Sequence, residues 1–500
     1  MSDLQPITKE DIDLVREAER ARSLAALSEM IKRFNKQYAV VNEAGKAFIF
    51  ELADDPMLSR KVLVRIGFSD FRKFYQNTRL TITTAEGNKV TKTEANWWLN
   101  HTARRQYLGG VVFDPTQKAG PDRWNLWNGF PIQPIPGDWS LMRRHILEVI
   151  CWGNREHLEY IIKWLARMVQ QPDQQGKVAL VLRGKKGCGK GFFFNRIRQL
   201  WGQHGLYISN AKHLTGNFNA HLRDCVFLFA DEAFFAGDKQ GEGVLKGLIT
   251  DPVINVEAKY QNAVNVPNML HIGMASNADW VVPASIDERR YFVLDVSPAR
   301  IGDRAYFKAL GAQMDNGGTA AILYDLLHTD LSDFEVEDFP KTEALMQQKR
   351  HSLDSLTRWW LTVLERGYVY ESRHGTPWFQ QWHPNYTSEL LRHSYAQWCD
   401  ENRPYDRKTE EQLGGFLREI YRRTRPRQDE PLYEIEVVDH RLETSDLNKK
   451  AIVWGFHKPG YHVGDLHEAC LRFAETKSLQ VGQGAGQGWV MTNDLDDPPF

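Results

Sequence analysis

Val181–Gly191 reads VLRGKKGCGKG, and Val226–Phe235 reads VFLFADEAFF. The first segment predicts a strand, a glycine-rich turn and the start of a helix. Gly184, Gly189 and Lys190 fit the phosphate-loop spacing G-x-x-x-x-G-K. With Gly187, these glycines let the backbone wrap closely around a phosphate chain, because they lack a Cβ and tolerate positive φ. The loop N–H groups and the following helix N-terminus form an anion site. Gly184, Lys185, Lys186, Gly187, Cys188, Gly189, Lys190 and Gly191 are therefore the expected nucleotide-binding set, with Lys190 on the β- and γ-phosphates. Such a loop ordinarily closes with Ser or Thr, whose hydroxyl binds Mg²⁺. Gly191 stands there instead, which leaves that ligand to water or a neighbouring group. The competing reading is an ordinary glycine-rich strand–helix turn.

The second segment weakens that competitor. Val226–Ala230 is a continuous apolar run, as in a strand covered on both faces, and it ends in Asp231 and Glu232. Carboxylates at the carboxyl edge of a parallel sheet lie where ligands bind. Asp231 is the expected Mg²⁺ holder, and Glu232 would orient and polarise the attacking water. The competing reading is an acidic loop after a strand. A third strand, LHIGMASN at Leu270–Asn277, carries an amide at its tip, and Asn277 would touch the γ-phosphate or the water. Asp287, Glu288, Arg289 and Arg290 then precede YFVLDV. An arginine there would reach a neighbouring subunit's nucleotide, a device worth about 10³–10⁵ in rate. Taken singly, Asn277 is equally a turn former and the arginines are equally surface ion-pair partners.

These segments resemble, in order and spacing, the superfamily 3 helicases within the AAA+ ATPases. The likeness is to the helicase module of phage, plasmid and satellite primase–helicase proteins. LRGKKGCGKG is similar to its phosphate loop, and FLFADEAFF to its acidic pair. LKGLITDPVINVEAKYQNAVNVPN resembles its distinguishing extra motif. MASNADWVVP with DERRYFVLDV resembles its sensor-asparagine and arginine-finger region, where Arg289 matches the finger better than Arg290. WLNHTARRQYLGGVVFDP, NLWNGF and EYIIKWLARMVQQP look like the segment before the ATPase in these phage proteins. The resemblance spans roughly residues 95–300. It implies a ring, a hexamer, and 3′-to-5′ movement along DNA.

Pro252–Val266 has its own physical reading. Val253, Ile254, Val256 and Val264 flank a polar middle, which predicts a hairpin with Lys259 and Tyr260 near its tip. A lysine with an aromatic suits a nucleic-acid backbone and base. The resemblance implies that such a hairpin tracks single-stranded DNA through Lys259, with Tyr260 second. The alternative is an exposed hairpin without contacts.

Composition sets limits. The 500 residues suggest two to four domains with a sizeable core. Sixty-three basic residues against 64 acidic ones give a net charge of −1, which argues against an overall basic DNA-coating protein. A locally basic channel remains allowed. No run of about 18 apolar residues occurs, so no membrane span is expected. Cys151, Cys188, Cys225, Cys399 and Cys470 form no C-x-x-C pair, which suggests a reducing compartment without zinc site or disulfide framework. Asp11 and Asp13 fall in the first turns of a predicted helix over Thr8–Lys36, where acids favour the dipole. They are not read as metal ligands, and no primase or polymerase centre is evident from the sequence.

Elsewhere the pattern predicts a hairpin over Tyr38–Glu51, a helical segment over His145–Gln171, and helices over Phe307–Leu327 and Thr342–Glu365. In the tail, helices at Glu389–Glu401 and Glu410–Tyr421, strands YEIEVV and AIVWGF, and a last helix suggest a winged helix. Arg422, Arg423, Arg425 and Arg427 would dock DNA there, or form a solvated basic loop.

The expected fold is α/β: an AAA+ P-loop ATPase core, a mixed α/β N-terminal region and a winged-helix-like C-terminal domain. The boundaries fall at 1–150, 151–300, 301–385 and 386–500. The expected function is an ATP- and Mg²⁺-dependent DNA helicase on single-stranded and forked DNA, acting in phage or mobile-element replication. It would be a cytoplasmic homo-oligomer, with a separate primase or polymerase as partner. The alternative is an ATP-switched DNA-binding initiator or loader.

Overall fold

A computed structural model describes residues 9–491, apart from 44, 56–59, 211, 214–215, 217–218, 234–238, 258–262, 286–287, 370–381, 426–432, 439–447, 455–457, 478, 480 and 484–488. The chain opens with helix α1 (Lys9–Gln37), strands β1 (Tyr38–Glu43), β2 (Lys46–Asp55) and β3 (Arg60–Ile66), and helix α2 (Phe68–Phe74). The hairpin β4 (Arg79–Thr83) and β5 (Lys89–Thr93), helix α3 (Glu94–Leu99) and short strands β6 (Gln106–Tyr107), β7 (Val111–Val112) and β8 (Trp124–Asn125) follow. The sheet β3–β2–β1–β6 packs through Tyr38, Val40 and Ile49 on Phe34, Phe71 and Trp98 of the three helices.

The centre of the molecule is a five-stranded, wholly parallel sheet. Its strands are β9 (Ala179–Arg183), β10 (Gly205–Ile208), β11 (Phe227–Asp231), β14 (His271–Ser276) and β15 (Tyr291–Asp295), in the order β10–β11–β14–β9–β15. Alternate residues enter two different cores. Leu180, Leu182, Phe227, Phe229 and Phe292 face one, with Trp164 and Phe194. Val181, Leu228, Ala230, Met274 and Val293 face the other, with Leu245 and Leu345. Burial on both faces explains why these strands read as unbroken apolar runs. Between β11 and β14, helix α7 (Lys239–Thr250) leads into the hairpin β12 (Val253–Val256) and β13 (Val264–Pro267).

The expected long helices are each broken. His145–Gln171 divides into α4 (Ser140–Arg144) continuing as a π-helical turn His145–Ile150, then α5 (Arg155–Gln170). Trp152 and Gly153 take positive φ between them, and the Asn154 side chain caps α5 by accepting from His157 N. Phe307–Leu327 becomes α8 (Arg304–Gln313) and α9 (Thr319–His328), separated at Asn316 and Gly317, whose dihedrals are non-helical. Thr342–Glu365 becomes α10 (Glu343–Ser352) and α11 (Ser355–Arg366), where Asp354 caps the second helix. Apolar periodicity ran through all three breaks and hid them.

The C-terminal core contains β16 (Asn385–Thr387), α12 (Ser388–Asn402), α13 (Glu410–Ile420), β17 (Arg422–Thr424), the hairpin β18 (Tyr433–Val438) and β19 (Asn448–Trp454), β20 (Gly460–His462) and α14 (Leu466–Lys477). Its three-stranded antiparallel sheet runs β16–β20–β17, and Trp359, Trp360, Tyr386 and Tyr421 fill the space beneath it. No described helix is long and apolar enough to cross a membrane.

Two core histidines make stability depend on pH. His271, fully buried and edge-on to Trp164, has its pKa pulled down to about 3 by burial. Burial also lowers that of His145 to about 4. The unfolded chain binds protons at these rings below about pH 6.5, while the folded chain refuses them. Stability should therefore be full above about pH 6.5 and fall as pH drops toward about 4. Urea midpoints at neutral and mildly acidic pH measure this. An unchanged midpoint would contradict it.

Candidate nucleotide site

The carboxyl edge of the parallel sheet assembles the site. β9 ends at Arg183, whose guanidinium grips Asp295 at the end of β15 through Nε (2.5 Å) and Nη2 (2.6 Å). It also donates to Asp279 O (2.9 Å), so the take-off point of the loop is pinned to both neighbouring strand ends. The chain then turns through Gly184–Gly189 and enters α6 (Lys190–Gln199). Gly187 (φ +85°) and Gly189 (φ +108°) occupy the left-handed region that other residues adopt only under strain. Gly189 has a second reason to be glycine, because a Cβ there would lie 2.4 Å from His145 Cε1.

Lys190 is buried, and its ammonium donates to Gly184 O, to Lys185 O (3.1 Å) and to Asn277 Oδ1 (3.0 Å). Lys185 and Lys186 are exposed, and Cys188 is buried beneath the loop. Glu232 follows β11 with φ +52°, an unfavourable conformation for a non-glycine residue. Its backbone N–H donates to Ala275 O (2.9 Å). Its carboxylate accepts from Ser276 Oγ (2.9 Å) and from Asn277 N (2.8 Å). Asp231 accepts from the Tyr207 hydroxyl (3.1 Å), whose pKa is raised by burial and by that carboxylate. Lysine, carboxylates and amide thus converge from three adjacent strands on one loop.

Behind the loop, His145 Nδ1 lies 3.0 Å from the Tyr306 hydroxyl, and its buried Nε2 has no hydrogen-bond partner among the described residues. Its ring is a wedge under Gly189. Sequence reasoning missed Arg183, Tyr207 and His145. Only Arg183 left a signal, a charge inside an apolar strand immediately before the loop.

Other expected site residues lie elsewhere. Arg289 is exposed and precedes β15, whose Tyr291 pairs with Ala179 at the start of β9. It therefore sits at the amino edge of the sheet, away from its own chain's loop. Arg290 is held by the buried Glu288 (3.2 Å). Lys259, Tyr260 and Arg427 lie outside the described residues. Among the described residues, no group of three or more His, Cys, Asp or Glu side chains stands together as a metal cluster.

Residues 182–290 match a family of unknown function, DUF5906. A DNA primase–polymerase from Nitratiruptor phage NrS-1 is 23% identical over 203 residues, or 38% of this chain and 27% of the relative. The chain therefore matches only about a quarter of that protein. Apo structures of the NrS-1 C-terminal region superpose over 85% of the chain and 98–99% of the region, with TM-scores of 0.54 and identities of 14–15%. That likeness defines a shared mixed α/β fold.

These findings overturn the superfamily 3 helicase expectation. The relative is a primase–polymerase, the matched structures are of its C-terminal region, and the matched family has no assigned function. The AAA+ and P-loop assignments and the helicase function go with it, and the initiator or loader alternative gains no support. The physical reason is that a glycine loop with a lysine and facing carboxylates is a local anion-binding device. It recurs on assemblies of different function and does not by itself define a family.

Gly191 tests the loop directly. A Cβ there meets nothing within 4 Å. Gly191→Ser should fold and gain up to about 0.5 kcal/mol from helix propensity. Gly189→Ala, forced against His145, should lose about 1–3 kcal/mol. Denaturant midpoints of the two variants should move in opposite directions.

Proposed function

We propose that the chain is a phage-type DNA-replication protein of the primase–polymerase kind, and that its central sheet binds and hydrolyses ATP with Mg²⁺. The observation that carries this reading is the convergence of Lys190, Glu232 and Asn277 on the glycine loop. A triphosphate entering the loop would replace the carbonyl oxygens that now accept from Lys190. The loop N–H groups and the start of α6 would hold the β- and γ-phosphates. Asp231 and Tyr207 would orient water around Mg²⁺, which supplies charge neutralisation on the phosphates. Gly191 leaves the hydroxyl's usual place open.

Glu232 is suited to position a water. Two hydrogen bonds fix its carboxylate, and the left-handed backbone turns the side chain over the end of β11. Asn277 touches Lys190 through its side chain and Glu232 through its backbone N–H, so it would sense the γ-phosphate. Catalysis would then rest on positioning and charge stabilisation. Arg289, exposed at the far edge, would serve only a neighbouring copy in a homo-oligomer, for which a hexameric ring is one arrangement.

The tail's order of helix, strand, two helices and a strand–hairpin–strand, with its β16–β20–β17 sheet, supports a winged-helix domain. Its α13 begins with Glu410 and Glu411, so DNA contact would fall to Arg422, Arg423 and Arg425 on and beside β17. Similarity to the primase–polymerase favours action at the start of DNA synthesis, in the cytoplasm of an infected host.

ATP hydrolysis with and without single-stranded DNA tests the reading. Glu232→Gln should retain ATP binding and lose about 10²–10⁴ in turnover. Lys190→Met should weaken ATP binding about ten- to a hundredfold, the worth of a charge-assisted hydrogen bond. Absent turnover, or turnover indifferent to Glu232, would overturn the hydrolytic assignment. Primer extension by the whole chain on a single-stranded template tests the wider one.

A further inference from the structure

A groove of about 720 Å³ separates the N-terminal sheet from the β12–β13 hairpin. Lys46, Arg65, Arg123 and Arg223 line it, against the single carboxylate of Glu43. Glu43 is already committed to Arg65 (2.9 Å). The Arg65 guanidinium lies 4.5 Å from the centroid of the Phe48 ring, making a flat cationic platform on one wall. Val264, exposed, and Val266 face it from the hairpin. Lys46 and Arg123 are exposed, and no described carboxylate forms an ion pair with either.

Arg223 is the informative residue. Burial lowers its pKa against the opposing pull of the Glu43 and Asp224 carboxylates, and among the described residues its guanidinium donates one long hydrogen bond, from Nη2 to Val111 O (3.5 Å). The adjacent Asp224 carboxylate lies beside His204 (3.6 Å). The half-buried guanidinium keeps donors beyond that one long bond, and an anion in the groove would accept from them. The cations come from four separate parts of the chain: Lys46 on β2, Arg65 on β3, Arg123 before β8 and Arg223 before β11. Apolar Phe48, Phe50, Val264 and Val266 line the same groove. That distribution fits a chain of repeated charges and flat rings.

We propose that this groove binds single-stranded nucleic acid. Arg223, Arg123 and Lys46 would take successive phosphates, and the Arg65–Phe48 platform would take a base. A single strand is favoured over a duplex because the site is concave and its aromatic face needs an unstacked base. The groove lies at the amino edge of the parallel strands, beside Met269 just before β14. The glycine loop lies at the carboxyl edge, so the two sites are separate. The proposal deepens the DNA-replication reading and does not depend on hydrolysis.

The test is fluorescence anisotropy with a labelled oligothymidylate of about 16 nucleotides, without ATP, across a salt series. The double variant Lys46→Glu/Arg123→Glu changes exposed side chains and should fold. Its Kd should rise at least about tenfold, with a salt slope lower by about 1.4 for two lost phosphate contacts. Its binding of a fluorescent ATP analogue should match the wild type. Lys190→Met should bind the oligonucleotide normally, which separates failure of this site from failure of the nucleotide site. Wild-type affinity and slope in the double variant would overturn the proposal. So would a wild-type protein that binds no oligonucleotide, or one that prefers the matching duplex and loses it equally in the variant.

Discussion

The site depends on where β9 ends. That strand is buried on both faces and flanked by β14 and β15, so its course is fixed by packing along its whole length. Arg183 then converts a packed strand into an anchored loop, because its bidentate hold on Asp295 ties two strand ends together at the point of exit. A loop that must present N–H groups to an anion cannot be loose. Here the rigidity comes from the ion pair below it, whose arginine is buried and whose carboxylate is half-exposed, and from His145 behind it. Losing Asp295 would leave the buried Arg183 guanidinium without its partner.

The same economy governs the facing residues. Glu232, Ser276 and Asn277 belong to adjacent strands and hold one another through side-chain and backbone bonds. The register of β11 on β14, with Asp231 opposite Ala275, brings them together. A slip of one residue would turn every apolar side chain to the wrong core, so the two cores enforce the geometry at the edge. Strain at Glu232 is sustained by that enforcement.

Much of this was legible in the sequence, and the reasons are specific. The glycine spacing, Lys190 and the apolar runs ending in Asp231 and Asn277 are short-range signals, and the fold kept each in its expected place. Helix breaks at Cys151–Asn154 and Asn316–Gly317 were hidden because apolar periodicity continues across them. The groove was illegible because its lining runs from Val41 to Met269, and only folding brings those residues together. The family assignment failed for a related reason. Local motifs encode phosphate chemistry, whereas the likeness to the primase–polymerase is spread over 203 residues at 23% identity.

All five thiols, at Cys151, Cys188, Cys225, Cys399 and Cys470, are buried and outside any disulfide, and burial pushes the Cys151 thiol up to about 12. A buried thiol that stays protonated reacts slowly with alkylating reagents. The native chain is thus a quiet background for spectroscopy. One cysteine placed on an exposed strand or loop would be the dominant reactive thiol, so paired probes could report distances across the molecule without first removing the natural sulfur.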